Sequence, residues 1–154
     1  MATKKPHIMV VEARFYAEIS DALLEGAEHA LKKGGATHER FAVPGALEIP
    51  AAIRLAIEAQ REGKLQKPFD GYLALGCVIR GETTHYETVC NESARGLMYL
   101  AIEHAACIGN GILTVENDDQ AWTRARMTEK DKGGGAAEAV LALIAIRRKL
   151  GLVH

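Results

Sequence analysis

The sequence predicts an α/β protein, a three-layer α/β/α sandwich around a four-stranded parallel sheet. Three observations carry this. Short apolar runs rich in β-formers alternate along the chain with longer stretches of helical periodicity. The connections have the length of helical crossovers, which favour parallel pairing. The run Gly71 to Ile79 is apolar for most of its length, as a strand covered on both faces must be.

The first strand is Ile8-Met9-Val10-Val11, followed by a helix from about Glu18 to Lys33 with Ile19, Leu23, Ala27, Ala30 and Leu31 on one face. Gly34-Gly35 stops it. A second strand around Glu39 to Val43 runs into Pro44-Gly45 and then a helix from about Ile49 to Gln60, with Pro50 tolerated in the first turn. A polar stretch from Arg61 to Pro68 precedes the third strand, Gly71 to Ile79, which is expected at the centre of the sheet. Tyr86 to Ala106 reads as a long helix and Gly111 to Val115 as the fourth strand. Asp118 to Arg126 reads as a short helix capped by Asn117 or Asp118, and Ala136 to Leu150 as the last. Nothing in the composition divides residues 1–154, which are expected to form one domain with residues 1–6 as a flexible segment.

The balance of 19 basic against 20 acidic residues, a net charge of −1, offers no electrostatic route to nucleic acid or to a membrane surface. No run of about 18 apolar residues and no signal peptide is present, so the expected compartment is the cytoplasm. Cys77, Cys90 and Cys107 fit neither a CxxC pair nor a zinc framework and are expected to be reduced thiols. Five of the histidines (His7, His29, His38, His104 and His154) lack metal-ligand spacing, so no metal site is expected from them. Gly133-Gly134-Gly135 follows no strand and lacks a phosphate-loop pattern, and is expected to shape a helix start.

In a doubly wound sheet ligands bind beyond the carboxyl ends of the strands, so the residues leaving each strand carry the functional information. After strand three comes Arg80-Gly81-Glu82-Thr83-Thr84-His85. Its backbone N–H groups open a helix and form an anion site, with Thr83 and Thr84 adding hydroxyls and His85 suited to proton transfer near neutral pH. From spacing alone, a Thr-capped helix with an exposed histidine accounts for the same residues. Phe15 after strand one is suited to stacking on a flat heterocycle or to covering the core. Glu48 is placed to accept from ligand hydroxyls or merely to complement a helix dipole. Arg124 and Arg126 are able to bind phosphate through a planar fork, although the usual state of a surface arginine is solvation or an ion pair.

Taken together, Val43-Pro44-Gly45-Ala46-Leu47-Glu48-Ile49-Pro50, Gly76 to His85, and Gly111-Ile112-Leu113-Thr114 with Glu116-Asn117 and Gln120-Ala121 resemble the lumazine synthase family in order and spacing. The resemblance runs from Arg14-Phe15 to the last helix. It implies a transferase of riboflavin biosynthesis that condenses 5-amino-6-(D-ribitylamino)uracil with 3,4-dihydroxy-2-butanone 4-phosphate, without cofactor or metal. By position it implies Phe15 as the stacking residue, Ala46, Leu47 and Glu48 as the ribityl-binding segment, and Cys77, Val78 and Ile79 as the strand end that reads the heterocycle. Glu82, Thr83 and Arg124 are then phosphate-binding, His85 moves the proton, and Lys132 approaches the pyrimidine. The family's site lies between adjacent subunits of a homopentamer, with Asn110 reaching in from the neighbour at a position often aromatic. Association with riboflavin synthase also falls within what the resemblance implies. The segment Arg126 to Asp131 departs from the turn typical of the family's icosahedral capsids, which favours a free pentamer. A flavin- or lumazine-binding module on the same flavodoxin-like fold is the rival reading; it would need neither His85 nor Arg124.

Overall fold

The computed structural model describes residues 4–152; the remaining residues of the predicted N-terminal segment, 1–3, lie outside them. Four parallel strands, β1 (His7–Ala13), β2 (Thr37–Val43), β3 (Gly71–Ile79) and β4 (Ile108–Val115), form one sheet in the order β2-β1-β3-β4. β1 and β3 occupy the centre, and β1 is buried along its whole length. That is why their sequences are largely hydrocarbon, with His7 and Glu12 the polar residues of β1. The edge strand β2 carries His38, Glu39 and Arg40, charges of the kind that keep an exposed edge from pairing with another sheet.

Five α-helices cover the sheet: α1 (Ala17–Lys33), α2 (Ile49–Arg61), α3 (His85–Glu103), α4 (Asp118–Ala125) and α5 (Lys132–Lys149). Met9, Val11, Ala13, Ala74 and Ile112 pack on one face with Ile49, Ile53, Val89 and Leu97 of α2 and α3. On the opposite face Ile8, Val10, Leu73 and Leu75 meet Leu24, Leu31, Ala137 and Val140 of α1 and α5. Toward the strand ends Cys77, Leu113 and Val115 meet Ile19, Leu23, Ala121 and Ala125 of α1 and α4. The three-layer architecture is the one expected. Among the described residues no helix is long and apolar enough to cross a membrane.

Several boundaries differ from the sequence reading, each for a local reason. The last helix begins at Lys132 rather than Ala136, because the Asp131 carboxylate accepts from Gly134 N at 3.1 Å and caps a glycine-rich first turn. Glycine is required there by close approach: a Cβ on Gly133 would lie 2.2 Å from the Leu23 carbonyl oxygen of α1. β4 begins at Ile108, not Gly111, because α5 packs so closely over its first half that a Cβ on Gly109 would meet the Ala136 carbonyl oxygen at 2.2 Å. The strand's glycines serve as contact points. α3 stops at Glu103 instead of Ala106, since Ala105 turns into the left-handed region with φ 50 and the Arg147 guanidinium donates to its carbonyl. β1, β2 and α1 are each slightly longer than expected. Asn117, not Asp118, caps α4, accepting from Gln120 N at 2.9 Å.

Candidate active site

The carboxyl ends of β1, β2 and β3 open onto a cleft of about 460 Å³ lined by Ala13, Phe15, Tyr16, Pro44, Gly45, Ala46, Leu47, Glu48, Cys77, Val78, Ile79, Gly81, Thr83, His85, Tyr86 and Val89. Three chain segments distant in sequence meet here because their strands are adjacent in the sheet.

The first wall is aromatic. Phe15 follows β1 directly and its ring is 76% exposed, braced edge-on against Tyr16 at 4.9 Å. It does not cover the core, which removes the bland alternative for this residue. The turn that carries it is anchored by Arg14, which donates to the buried Glu12 carboxylate at 2.7 Å and also pairs with Asp21 at the start of α1. Arg40 of β2 donates to the other Glu12 oxygen at 2.8 Å, so the buried charge is matched from two sides.

The second wall is a single 3₁₀ turn, Ala46–Glu48, closed by Glu48 N donating to the Gly45 carbonyl at 3.1 Å. Pro44 and Gly45 end β2, and the turn leads straight into α2, leaving Leu47 and Glu48 exposed at the cleft while Ala46 is buried. The floor is the end of β3. Cys77 is buried, and burial, reinforced by the nearby Asp118 carboxylate, pushes its thiol up to about 12. A thiol so protonated is a poor nucleophile at neutral pH and serves as packing and shape.

The third wall is the β3–α3 connection. Arg80 N donates to the Val115 carbonyl at 2.9 Å, after which the chain leaves the sheet. Thr83 Oγ1 accepts from His85 N at 3.3 Å, and Thr84 occupies the N-cap without a side-chain cap bond. The ring of His85, the first residue of α3, is exposed at the cleft mouth. Gly81 and Thr83 also line the cleft, next to the amino end of α3, where the helix dipole favours an anion.

Glu82 belongs to this connection but does not line the cleft. Three other predicted residues lie elsewhere in the protomer. Asn110 is on the exposed edge strand β4, where its Oδ1 accepts from Ile112 N at 3.0 Å. Arg124 is half-buried on α4 and donates to the Gln120 carbonyl at 3.1 Å. Lys132 is exposed at the start of α5, also outside the cleft. The sequence reading passed over Tyr86, whose ring lines the cleft beside His85 and lies under the Arg80 guanidinium, 4.4 Å from ring centroid to carbon. Its signal was an aromatic immediately after the candidate proton-transfer residue. Among the described residues no group of three or more His, Cys, Asp or Glu is arranged to hold a metal ion.

Comparison with known proteins gives a concordant result. The family profile of 6,7-dimethyl-8-ribityllumazine synthase matches residues 5–148. The chain is 58% identical over 152 residues to 6,7-dimethyl-8-ribityllumazine synthase 1 of Rhizobium meliloti, covering 98% of each chain. It is 57% identical over 148 residues to the 6,7-dimethyl-8-ribityllumazine synthase of Agrobacterium fabrum, covering 96% of this chain and 98% of that one. The enzyme of the same name from Sphingopyxis alaskensis is 55% identical over 146 residues, covering 95% of this chain and 98% of its own. With identity of this level spread over almost the full length, and with the matched region containing the whole cleft, the chain belongs to the 6,7-dimethyl-8-ribityllumazine synthase family.

Proposed function

We propose that this protein forms 6,7-dimethyl-8-ribityllumazine, the precursor of riboflavin, from 5-amino-6-(D-ribitylamino)uracil and 3,4-dihydroxy-2-butanone 4-phosphate, releasing phosphate and water in the cytoplasm. The observation that carries the reading is the convergence of Phe15, Ala46 to Glu48, Cys77 to Ile79, Thr83 and His85 on one cleft from three separate strand ends. These are the same blocks on which the family resemblance rests.

The cleft suits two substrates of different character. Its apolar floor and the exposed Phe15 ring favour a flat heterocycle, and Glu48 offers acceptor oxygens to the hydroxyls of a ribityl chain. The β3–α3 connection, with Glu82 and Thr83, supplies backbone donors to a phosphate. The pyrimidine amine and the ketone condense to an imine, phosphate leaves, and the ribityl-bearing nitrogen closes the ring. Holding both reactants in one cleft lowers the barrier by removing the entropy of encounter. His85 moves protons between the reacting nitrogen and oxygen atoms, a contribution of about 10²–10⁴-fold.

Asn110 and Arg124 lie outside the protomer's own cleft, and we assign them to the cleft of an adjacent copy in a homopentamer. Leu55 of α2 and Met98, Tyr99 and Ile102 of α3 are each at least 60% exposed, and large apolar side chains left in water at this density mark a surface that is covered by another chain. The test is a mixture of the purified protein with both substrates, followed by lumazine absorbance and fluorescence against the uncatalysed background. Acceleration that falls in His85→Ala without vanishing is the expected result. Tight lumazine binding without any acceleration would instead indicate a binding module.

A further inference from the structure

The β3–α3 connection that lines the cleft is a surface segment, and a short loop bearing an anion site beside carboxylates is poorly placed to hold phosphate unless those carboxylates are neutralised. Three acidic side chains surround it: Glu82 within the loop, Glu87 in the first turn of α3, and Glu116 in the connection after β4. Arg80 stands among them. Its Nε donates to Glu116 Oε2 at 2.7 Å, its Nη1 lies 3.4 Å from Glu87 Oε1, and its guanidinium plane covers the cleft-lining Tyr86 ring at 4.4 Å. Its backbone N–H meanwhile holds the Val115 carbonyl at 2.9 Å. Glu116 is itself fixed, its N–H donating to Gln120 Oε1 at 2.8 Å, and the Gln120 carbonyl accepts from Arg124 at 3.1 Å. One side chain therefore joins the loop carrying Thr83 and His85 to the connection and helix carrying Arg124.

We infer that Arg80 is a positioning residue for the phosphate-bearing substrate: it fixes the β3–α3 loop against the β4–α4 connection and neutralises Glu87 and Glu116 beside the anion cradle. It does not line the cleft. This rests on the function proposed above. Each ion pair is individually weak, because Arg80 is 40% exposed and its partners 55% and 54% exposed. The effect comes from three contacts made by one planar fork, and lysine cannot reproduce it, since an ammonium offers neither the fork nor the stacking face.

The experiment compares wild type, Arg80→Ala, Arg80→Lys and the double variant Arg80→Ala/Glu116→Gln in the full-length protein. Expected for Arg80→Ala is a rise in KM for the phosphate-bearing ketone of roughly 3- to 10-fold, with little change in KM for the pyrimidine, which carries no phosphate. Arg80→Lys restores part of the difference by returning the charge. The double variant restores part by removing an uncovered carboxylate, and added salt narrows the gap. Hydrogen exchange at the amides of Glu82 to His85, measured without substrate, is expected to quicken in Arg80→Ala and reports the loop whether or not turnover is present. A uniform loss of activity with lowered melting temperature, or kinetics and exchange both equal to wild type, would overturn the inference. Absence of turnover in wild type would instead overturn the function, leaving the exchange measurement to decide the role of Arg80 in the loop.

Discussion

At the scale of single residues, the cleft separates chemistry from scaffolding by exposure. Phe15 and His85 reach solvent at its mouth, whereas Cys77 is buried in its floor and kept protonated by its surroundings. The roles proposed for His85 and Arg124 differ in kind, and kinetics separates them. His85→Ala is expected to lower kcat by about 10²–10⁴-fold while leaving KM values close to wild type, because a proton-transfer group acts mainly in the transition state. Arg124→Ala is expected to raise KM for the phosphate-bearing ketone by about tenfold or more, the loss of a charge-assisted contact made in the ground state as well. Equal and total loss of substrate binding in both variants would contradict this division. The cleft residues were legible only through the three motif blocks taken together, since by spacing alone Phe15 and the Thr83 to His85 run each kept a purely structural reading. Arg80 was not, since nothing in the order of residues brings Glu116 next to it; the parallel pairing of β3 with β4 does.

At the scale of elements, α5 shows how backbone contact overrides local propensity. Its triple glycine, expected to shape a helix start just before Ala136, itself forms the first helical turn despite the low helix propensity of glycine, because Asp131 caps it and Gly133 lies directly against α1. Gly133→Ala raises helix propensity in isolation. In the folded protein the added Cβ would have to displace the Leu23 carbonyl, 2.2 Å away, so the expected result is destabilisation by about 1–3 kcal/mol, read as a lower urea midpoint. Gly135→Ala is the control: a Cβ there meets nothing within 4 Å, and propensity should make it neutral or stabilising. A stabilised Gly133→Ala would mean that the α1–α5 approach is looser than described.

At the scale of the whole molecule, two properties belong to no single element. The first is the proposed sharing of the site between copies. Mixing separately purified His85→Ala and Arg124→Ala proteins, after dissociation and reassembly, should restore activity above that of either variant, because some clefts then receive both native residues. Activity no higher than the average of the two, or a monomeric mass for wild type, would place Arg124 with its own cleft or with none. The second is acid sensitivity. His7 is buried at the start of β1, its ring stacked on Phe69 at 5.2 Å and its Nδ1 2.7 Å from Thr37 Oγ1. Burial, aided by the nearby Lys67, lowers its pKa from the ordinary 6.5, against the opposing pull of Glu39 and Asp70. The native state thus binds fewer protons than the unfolded chain just below that value, so this contribution to stability is complete above about pH 6.5 and is lost as pH falls. The urea midpoint should therefore drop between pH 8 and 5, and by less in His7→Gln; an identical slope in the variant would remove His7 as the cause.

The order of residues alone was enough for the layer architecture, the number and direction of the strands, and the strand-end loops that line the cleft. These follow from hydrophobic period and connection length, which are local quantities. Only the tertiary structure decided where the last helix begins, why β4 contains glycines at contact points, which loop Arg80 ties to which, and that Asn110 and Arg124 lie outside the protomer's own cleft. Each of these depends on the approach of backbone or side chains far apart in the chain. Such proximity is set by the order of strands in the sheet, and no window along the sequence contains it.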